Sequence, residues 1–204
     1  APANVVLNTI VAESFKEIAD ELEGAENFDM ACHDMIKKLF TDHHRIVFNG
    51  NGYTDEWIEE AARRGLPNIP SMVDAIPALT TEKAINLFEK FGVFTEAELK
   101  SRAEIKYEAY AKAINIEAKS MIDIAGKQII PSVISYTTEL ANSVVSVSEA
   151  GVDSSVQKEL LDTVTGCLKD MKAAYTKLVE VTNKGADVNG AKDQATYYRD
   201  VVKT

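Results

Sequence analysis

Cysteine, histidine, glycine and proline are scarce in this 204-residue chain, and each shortage excludes something. Two cysteines, Cys32 and Cys167, lie far apart and cannot make a disulfide framework or a metal knuckle, so each is expected as a small core residue. Ten glycines and five prolines fall well below the average share of about 12%, while Ala, Glu, Lys and Leu are plentiful, a composition that suits helices. Positive charge is also short. With 22 Lys and Arg against 32 Asp and Glu, the net charge is −10, which argues against binding to nucleic acid or to an anionic membrane surface. No apolar run reaches the roughly 18–20 residues of a membrane span, and the N-terminus lacks the basic start of a signal peptide. A cytoplasmic protein is expected, with neither membrane nor nucleic acid among its partners.

Hydrophobic residues make up 46% and charged residues 26%, so the chain is expected to fold, as one or two domains. Val5, Val6, Ile10, Val11, Phe15, Ile18 and Leu22 form a helical stripe, with Asn4 as its cap and Gly24 as its stop. Asn27 caps a second helix that buries Met30, Ala31, Met35, Ile36 and Leu39. The short β-forming run Arg45-Ile46-Val47-Phe48 leads into an Asn49-Gly50-Asn51-Gly52 turn. Thr54 caps a helix over 55–64 with acidic residues first and Arg63-Arg64 last, matching the helix dipole. Pro67, Pro70 and Pro77 mark an extended connector over 68–80.

A helix from Thr80 or Thr81 to Phe91 stops at Gly92, and Thr95 with Glu98 has the capping-box spacing. The pattern then runs to about 148, with a kink expected at Gly126 and Pro131. Ala150-Gly151-Val152-Asp153 reverses the chain, Ser154 and Gln157 repeat the capping-box spacing, and a thirty-residue stripe runs to Lys184-Gly185 before a short last helix. The predicted fold is all-α: a helical hairpin or bundle of long antiparallel helices, with shorter N-terminal helices and a Pro-rich connector. Its core is expected from Ile105, Ile114, Met121, Ile129, Val133, Leu140, Leu160, Val164, Leu168 and Met171.

Chemistry is hard to find. His33, His43 and His44 lack the i, i+3 or i+4 spacing of a helical metal site and read as solvated or capping residues. Asp55-Glu56 and Glu59-Glu60 sit at helix-neighbour spacing from Arg63 and Arg64 and read as solvated ion pairs. No Ser lies in G-x-S-x-G, no Cys has a recognisable His partner, and Gly50-Asn51-Gly52 has no following Lys-Ser/Thr to make a phosphate loop. No catalytic, cofactor-binding or metal-binding residue is assigned.

Five segments, in order, resemble the C-terminal portion of type III glutamine synthetases. They are residues 4–14, Arg45 to Trp57, Val73 to Leu79, Gly92 to Leu99 with Ser101-Arg102, and Ile114 to Ala118. The resemblance covers about residues 4–140. It implies that the helix from Asn4 closes a catalytic domain, that Gly92 to Glu98 begins that domain's final helix, and that residues past about Ser120 are the type III extension. The domains are then 1–119, the end of the catalytic domain, and 120–204, a helical C-terminal extension. By the same resemblance, the family's metal-binding glutamates, nucleotide-binding residues and glutamate-binding arginines lie upstream of Ala1, so none is carried onto this chain.

Ala1 in place of Met fits a piece of a longer protein, and equally the removal of an initiating Met. The parent enzyme implied by the resemblance is a ligase that condenses glutamate and ammonia using ATP with Mg or Mn, assembled as a homo-oligomeric ring. This chain, inactive alone, has the parent's catalytic domain as its partner. The alternative reading is a self-contained helical interaction module without enzymatic activity.

Overall fold

The computed structural model describes residues 2–204, and every regular element among them is helical. The chain divides into two compact units, one up to Ala103 and one from Glu104 to Thr204.

The first unit opens with α1 (Pro2–Leu22), which starts two residues before the expected cap at Asn4. Gly24, at φ 81°, turns the chain back as no β-carbon-bearing residue does cheaply. Asn27 then caps α2 (Phe28–His43), its side chain accepting from the Met30 amide at 3.1 Å. Lys38 on α2 reaches Glu21 on α1 at 3.0 Å. The 45–48 run forms no strand: His44–Ile46 is a single 3₁₀ turn, and no described strand offers a ladder.

Thr54 precedes α3 (Asp55–Arg63) but does not cap it with its side chain; its hydroxyl donates to the Asn51 carbonyl at 3.0 Å. The proline segment is extended only to Ser71. It then winds into α4 (Met72–Ala75) and a 3₁₀ turn (Ile76–Thr80), burying Val73 and Ile76. Those two apolar side chains, three apart, gain more from a helical turn that buries both than from an extended run that leaves one outside. Thr81 caps α5 (Glu82–Lys90) through the Ala84 amide, and Lys90 ties α5 to Glu13 of α1 at 2.6 Å. The capping box forms as expected, with the Glu98 amide donating to Thr95 Oγ1 at 3.3 Å and the Thr95 amide to Glu98 Oε2 at 2.8 Å. It launches α6 (Glu96–Ile124).

In the second unit, α6 passes through one π-helical turn (Ala125–Ile129) into α7 (Ile130–Glu149). The wide turn lets the Ile130 amide reach back to the Ala125 carbonyl and accommodates Pro131, which has no N–H to donate. Its extra residue also rotates the buried seam. Ile130, Val133, Thr137, Leu140, Val144 and Val147 face inward, and Ile129 is left exposed. After Gly151, α8 (Ser155–Lys184) returns antiparallel against α7. Ser154 makes no cap; its hydroxyl bonds Ser148 Oγ at 2.8 Å, while Asp153 accepts from the Ser155 amide at 3.0 Å in the capping role.

The chain closes with a 3₁₀ turn, α9 (Ala191–Tyr197) and a second π turn (Tyr198–Val202), whose Tyr198 and Val202 pack on Ala111, Ile114 and Ala118 of α6. Ile105, Met121 and Leu160, expected inside, are exposed, because only one side of α6 is covered and the α8 seam follows Leu161, Val164 and Leu168. Cys167 is exposed and Cys32 half-buried, so neither is the buried core residue expected.

Candidate functional site

The residues that bear chemistry are not gathered. His33, His43 and His44 are exposed, with His44 resting edge-on against Phe40 at 5.6 Å between ring centres. Among the described residues no three His, Cys, Asp or Glu side chains come together as metal ligands would. The Asn-Gly turn is closed on itself: a β-carbon at Gly50 would lie 2.5 Å from the Phe48 ring, and Asn51 Oδ1 accepts from the Tyr53 amide.

What surrounds this turn is a built structural node. Phe48 stacks on Trp57 with ring centres 4.4 Å apart, and the Arg64 guanidinium lies 5.9 Å from the Phe48 centre. Arg64 Nη1 donates to the carbonyls of Val47 at 2.6 Å and Arg45 at 3.2 Å, while its Nε donates to Glu60 at 2.5 Å. Glu60 also accepts from Arg63. Those hydrogen bonds, from Arg63 first and Arg64 second, hold the Glu60 carboxyl down at about 2. Asp55, Glu56 and Glu59 are exposed on the same helix. Sequence reasoning identified the ion pairs but missed that Arg64 terminates the backbone of a segment seventeen residues earlier, for which no local pattern exists.

The feature of the first unit that invites a function is its apolar surface. Leu7, Ile10, Val11 and Phe15 on α1, and Phe28, Met30, Ile36 and Phe40 on α2, are all exposed, with Phe15 and Ile36 each 68% accessible. A groove of about 850 Å³ runs between α1 and α2, floored by Ile18, Met35 and Leu39. A second, of about 690 Å³, separates α1 from α5 and the turn before it, walled by Val6, Ile10, Leu79 and Leu87. Helix α1 does fold back on α2, as its turn allows, yet it keeps much of its stripe in water. Among the described residues no helix is long and apolar enough to cross a membrane.

Residues 31–148 match the family described as the glutamine synthetase C-terminal domain. Three similar proteins carry related names. A glutamine synthetase of Butyrivibrio fibrisolvens is 35% identical over 171 residues, covering 83% of this chain and 24% of its own length. A type-3 glutamine synthetase of Dictyostelium discoideum is 33% identical over 202 residues, covering 95% of this chain and 28% of its own. A glutamine synthetase of Bacteroides fragilis is 28% identical over 213 residues, covering the whole of this chain and 29% of its own. The chain thus spans about a quarter of the length of the relatives it matches.

Proposed function

The chain belongs to the glutamine synthetase C-terminal domain family, and from that premise we propose that it is the C-terminal part of a type III glutamine synthetase, supplying structure to the ligase and no catalytic group. The observation that carries this reading is the pair of apolar grooves along α1, in a chain whose relatives are more than three times as long. Leaving a large apolar side chain in water forfeits about 1.5–3 kcal/mol, so a stripe such as Leu7, Ile10, Val11 and Phe15 fits a helix made to be covered by more protein. In this reading residues 1–119 finish the catalytic domain and 120–204 extend it. The whole enzyme is a cytoplasmic homo-oligomeric ring.

The parent reaction condenses glutamate and ammonia through a glutamyl phosphate, with divalent metal neutralising the phosphates of ATP. The residues of this chain do not fit either group. The described acidic and histidine side chains form no metal-ligand cluster, and in the one glycine-rich turn the Phe48 ring packs close against Gly50. In this reading ATP and Mg or Mn are held by other parts of the enzyme.

The test is complementation. The 204-residue chain alone, assayed for glutamate- and ammonia-dependent ATP hydrolysis with Mg²⁺ or Mn²⁺, is expected to show no turnover. Co-expressed with a type-3 relative truncated of its matching C-terminal segment, it is expected to copurify and restore synthesis. Turnover by the purified chain would overturn the structural role. Failure to copurify would favour the self-contained interaction module.

A further inference from the structure

Three Asn-Gly pairs occur in the chain, at 49–50, 51–52 and 189–190, and the fold constrains them unequally. In such a pair the glycine nitrogen can reach the preceding side-chain amide, because glycine puts no β-carbon beside the attacking atom. At 51–52 both the side chain and the linking peptide are held. Asn51 Oδ1 accepts from the Tyr53 amide at 3.1 Å, and the Asn51 carbonyl accepts from the Thr54 hydroxyl at 3.0 Å. At 49–50 the Phe48 ring, itself stacked on Trp57, packs against Gly50. Neither constraint exists at 189–190. Both residues are exposed, and among the described residues neither the Asn189 side chain nor the peptide group joining it to Gly190 has a hydrogen-bond partner. That peptide group can rotate without breaking a contact, which makes local rearrangement there cheap. Gly190 has φ 88°, a conformation that favours glycine, so the turn itself requires the unhindered nitrogen. Chain neighbours aside, the one atom within 4 Å of where a β-carbon would stand is Asp193 Oδ2, at 3.7 Å.

We infer that Asn189 is a site of spontaneous covalent modification, converting through a cyclic imide to aspartate and isoaspartate while the protein stays folded. The Gly190 nitrogen gives its proton to solvent base and bonds to Asn189 Cγ. The bond from Cγ to Nδ2 then breaks, and ammonia leaves with a proton from solvent. One water opens the ring. Opening at Cγ gives aspartate, whereas opening at the main-chain carbonyl gives isoaspartate, whose chain continues through the side chain. Water is the sole co-reactant, and nothing is oxidised or reduced. Either product adds one negative charge to the −10 already present, and isoaspartate also adds a methylene to the main chain. The added atom falls in a link fastened at both ends, between the 3₁₀ turn (Gly185–Asp187) and α9. Gln194 Nε2 donates to the Gly185 carbonyl at 3.1 Å, and the Tyr197 hydroxyl donates to the Val181 carbonyl at 3.1 Å. The Tyr198 ring packs against Gly185. A longer link disturbs these contacts, which seat Tyr198 and Val202 on α6.

Peptide mapping by mass spectrometry, after the 204-residue chain has been held in mildly alkaline buffer, reads each site by the mass gained as amide becomes acid. A methyltransferase specific for isoaspartate reads the rearranged product. In the folded chain Asn189 is expected to convert at least fivefold faster than Asn49 or Asn51. In guanidinium chloride, where the fold no longer distinguishes the three pairs, their rates should agree within twofold. The aged wild type should unfold at a lower urea midpoint than fresh protein. Asn189→Gln, whose longer side chain disfavours ring closure, should keep its midpoint through the same incubation. Folded-state conversion at Asn189 no faster than at Asn51, or conversion only in denaturant, would overturn the site. An aged wild type that loses no more stability than N189Q would overturn its effect on the C-terminal segment.

Discussion

Tyr175 on α8 occupies the space that a side chain at position 126 would need. A β-carbon on Gly126 would lie 2.7 Å from the tyrosine hydroxyl and 3.2 Å from its ring carbon. The glycine stands in the π-helical turn before Pro131, so the widened turn and the close approach of α8 coincide. Gly166, also mid-helix, has nothing within 4 Å of such an atom. Two alanine substitutions of the same kind should therefore have opposite signs. Gly166→Ala is expected to stabilise by about 0.5–1 kcal/mol through helix propensity and unfolded-state entropy. Gly126→Ala is expected to destabilise by about 1–3 kcal/mol through overpacking, and Tyr175→Phe in that background should return part of the loss. Urea midpoints of the four proteins decide it.

The hairpin seam makes a second contrast. Leu140 of α7 is 9% accessible and Leu160 of α8 is 46%. Leu140→Ala is expected to cost about 2–5 kcal/mol, as buried leucines do. Leu160→Ala should cost well under half of that. Equal shifts in the denaturation midpoint would mean that the seam is misassigned.

Arg64 holds the segment before the Asn-Gly turn by its carbonyls, and the single tryptophan reports on it because Trp57 stacks against Phe48. Arg64→Ala removes charged donors from the Val47 and Arg45 carbonyls, a loss of about 1–3 kcal/mol. It should also shift Trp57 emission to the red as Phe48 loosens. Unchanged emission with lowered stability would place the effect of Arg64 in its Glu60 pair alone.

Glu60 gives the fold a defined acid sensitivity. Its carboxyl is lowered from an ordinary 4.5 to about 2 by hydrogen bonds from Arg63 and Arg64. A depressed carboxyl stabilises the folded state fully above its unfolded value and loses that stabilisation as pH falls through the folded one. The difference in stability between wild type and Glu60→Gln should be constant at neutral pH, shrink as pH falls below about 4.5 and level off only below about 2, a window set by that shift. A difference independent of pH would show that the substitution acts through packing instead.

What the sequence determined by itself was much of what is governed by neighbours within one helical turn. The Thr95 and Glu98 capping box, the Asn27 cap, the stop at Gly24 and the long apolar repeats depend on residues three or four apart, and they folded as their spacing implied. The five ordered segments likewise pointed to the family that residues 31–148 match. Tertiary structure decided what depends on distant residues. It bonded the Ser154 hydroxyl to Ser148 and gave the Ser155 amide to Asp153. It wound the second half of the connector, from Met72 on, into helical turns because Val73 and Ile76 could be buried there. It rotated the seam of the long helix by one residue at the π turn, so that Ile130 replaced Ile129, and it left Ile105, Met121 and Leu160 in water for want of a neighbour. A periodic stripe states that a helix has an apolar side. Which part of that side is covered depends on other segments arriving there, and that information is carried by contacts between residues far apart in the chain.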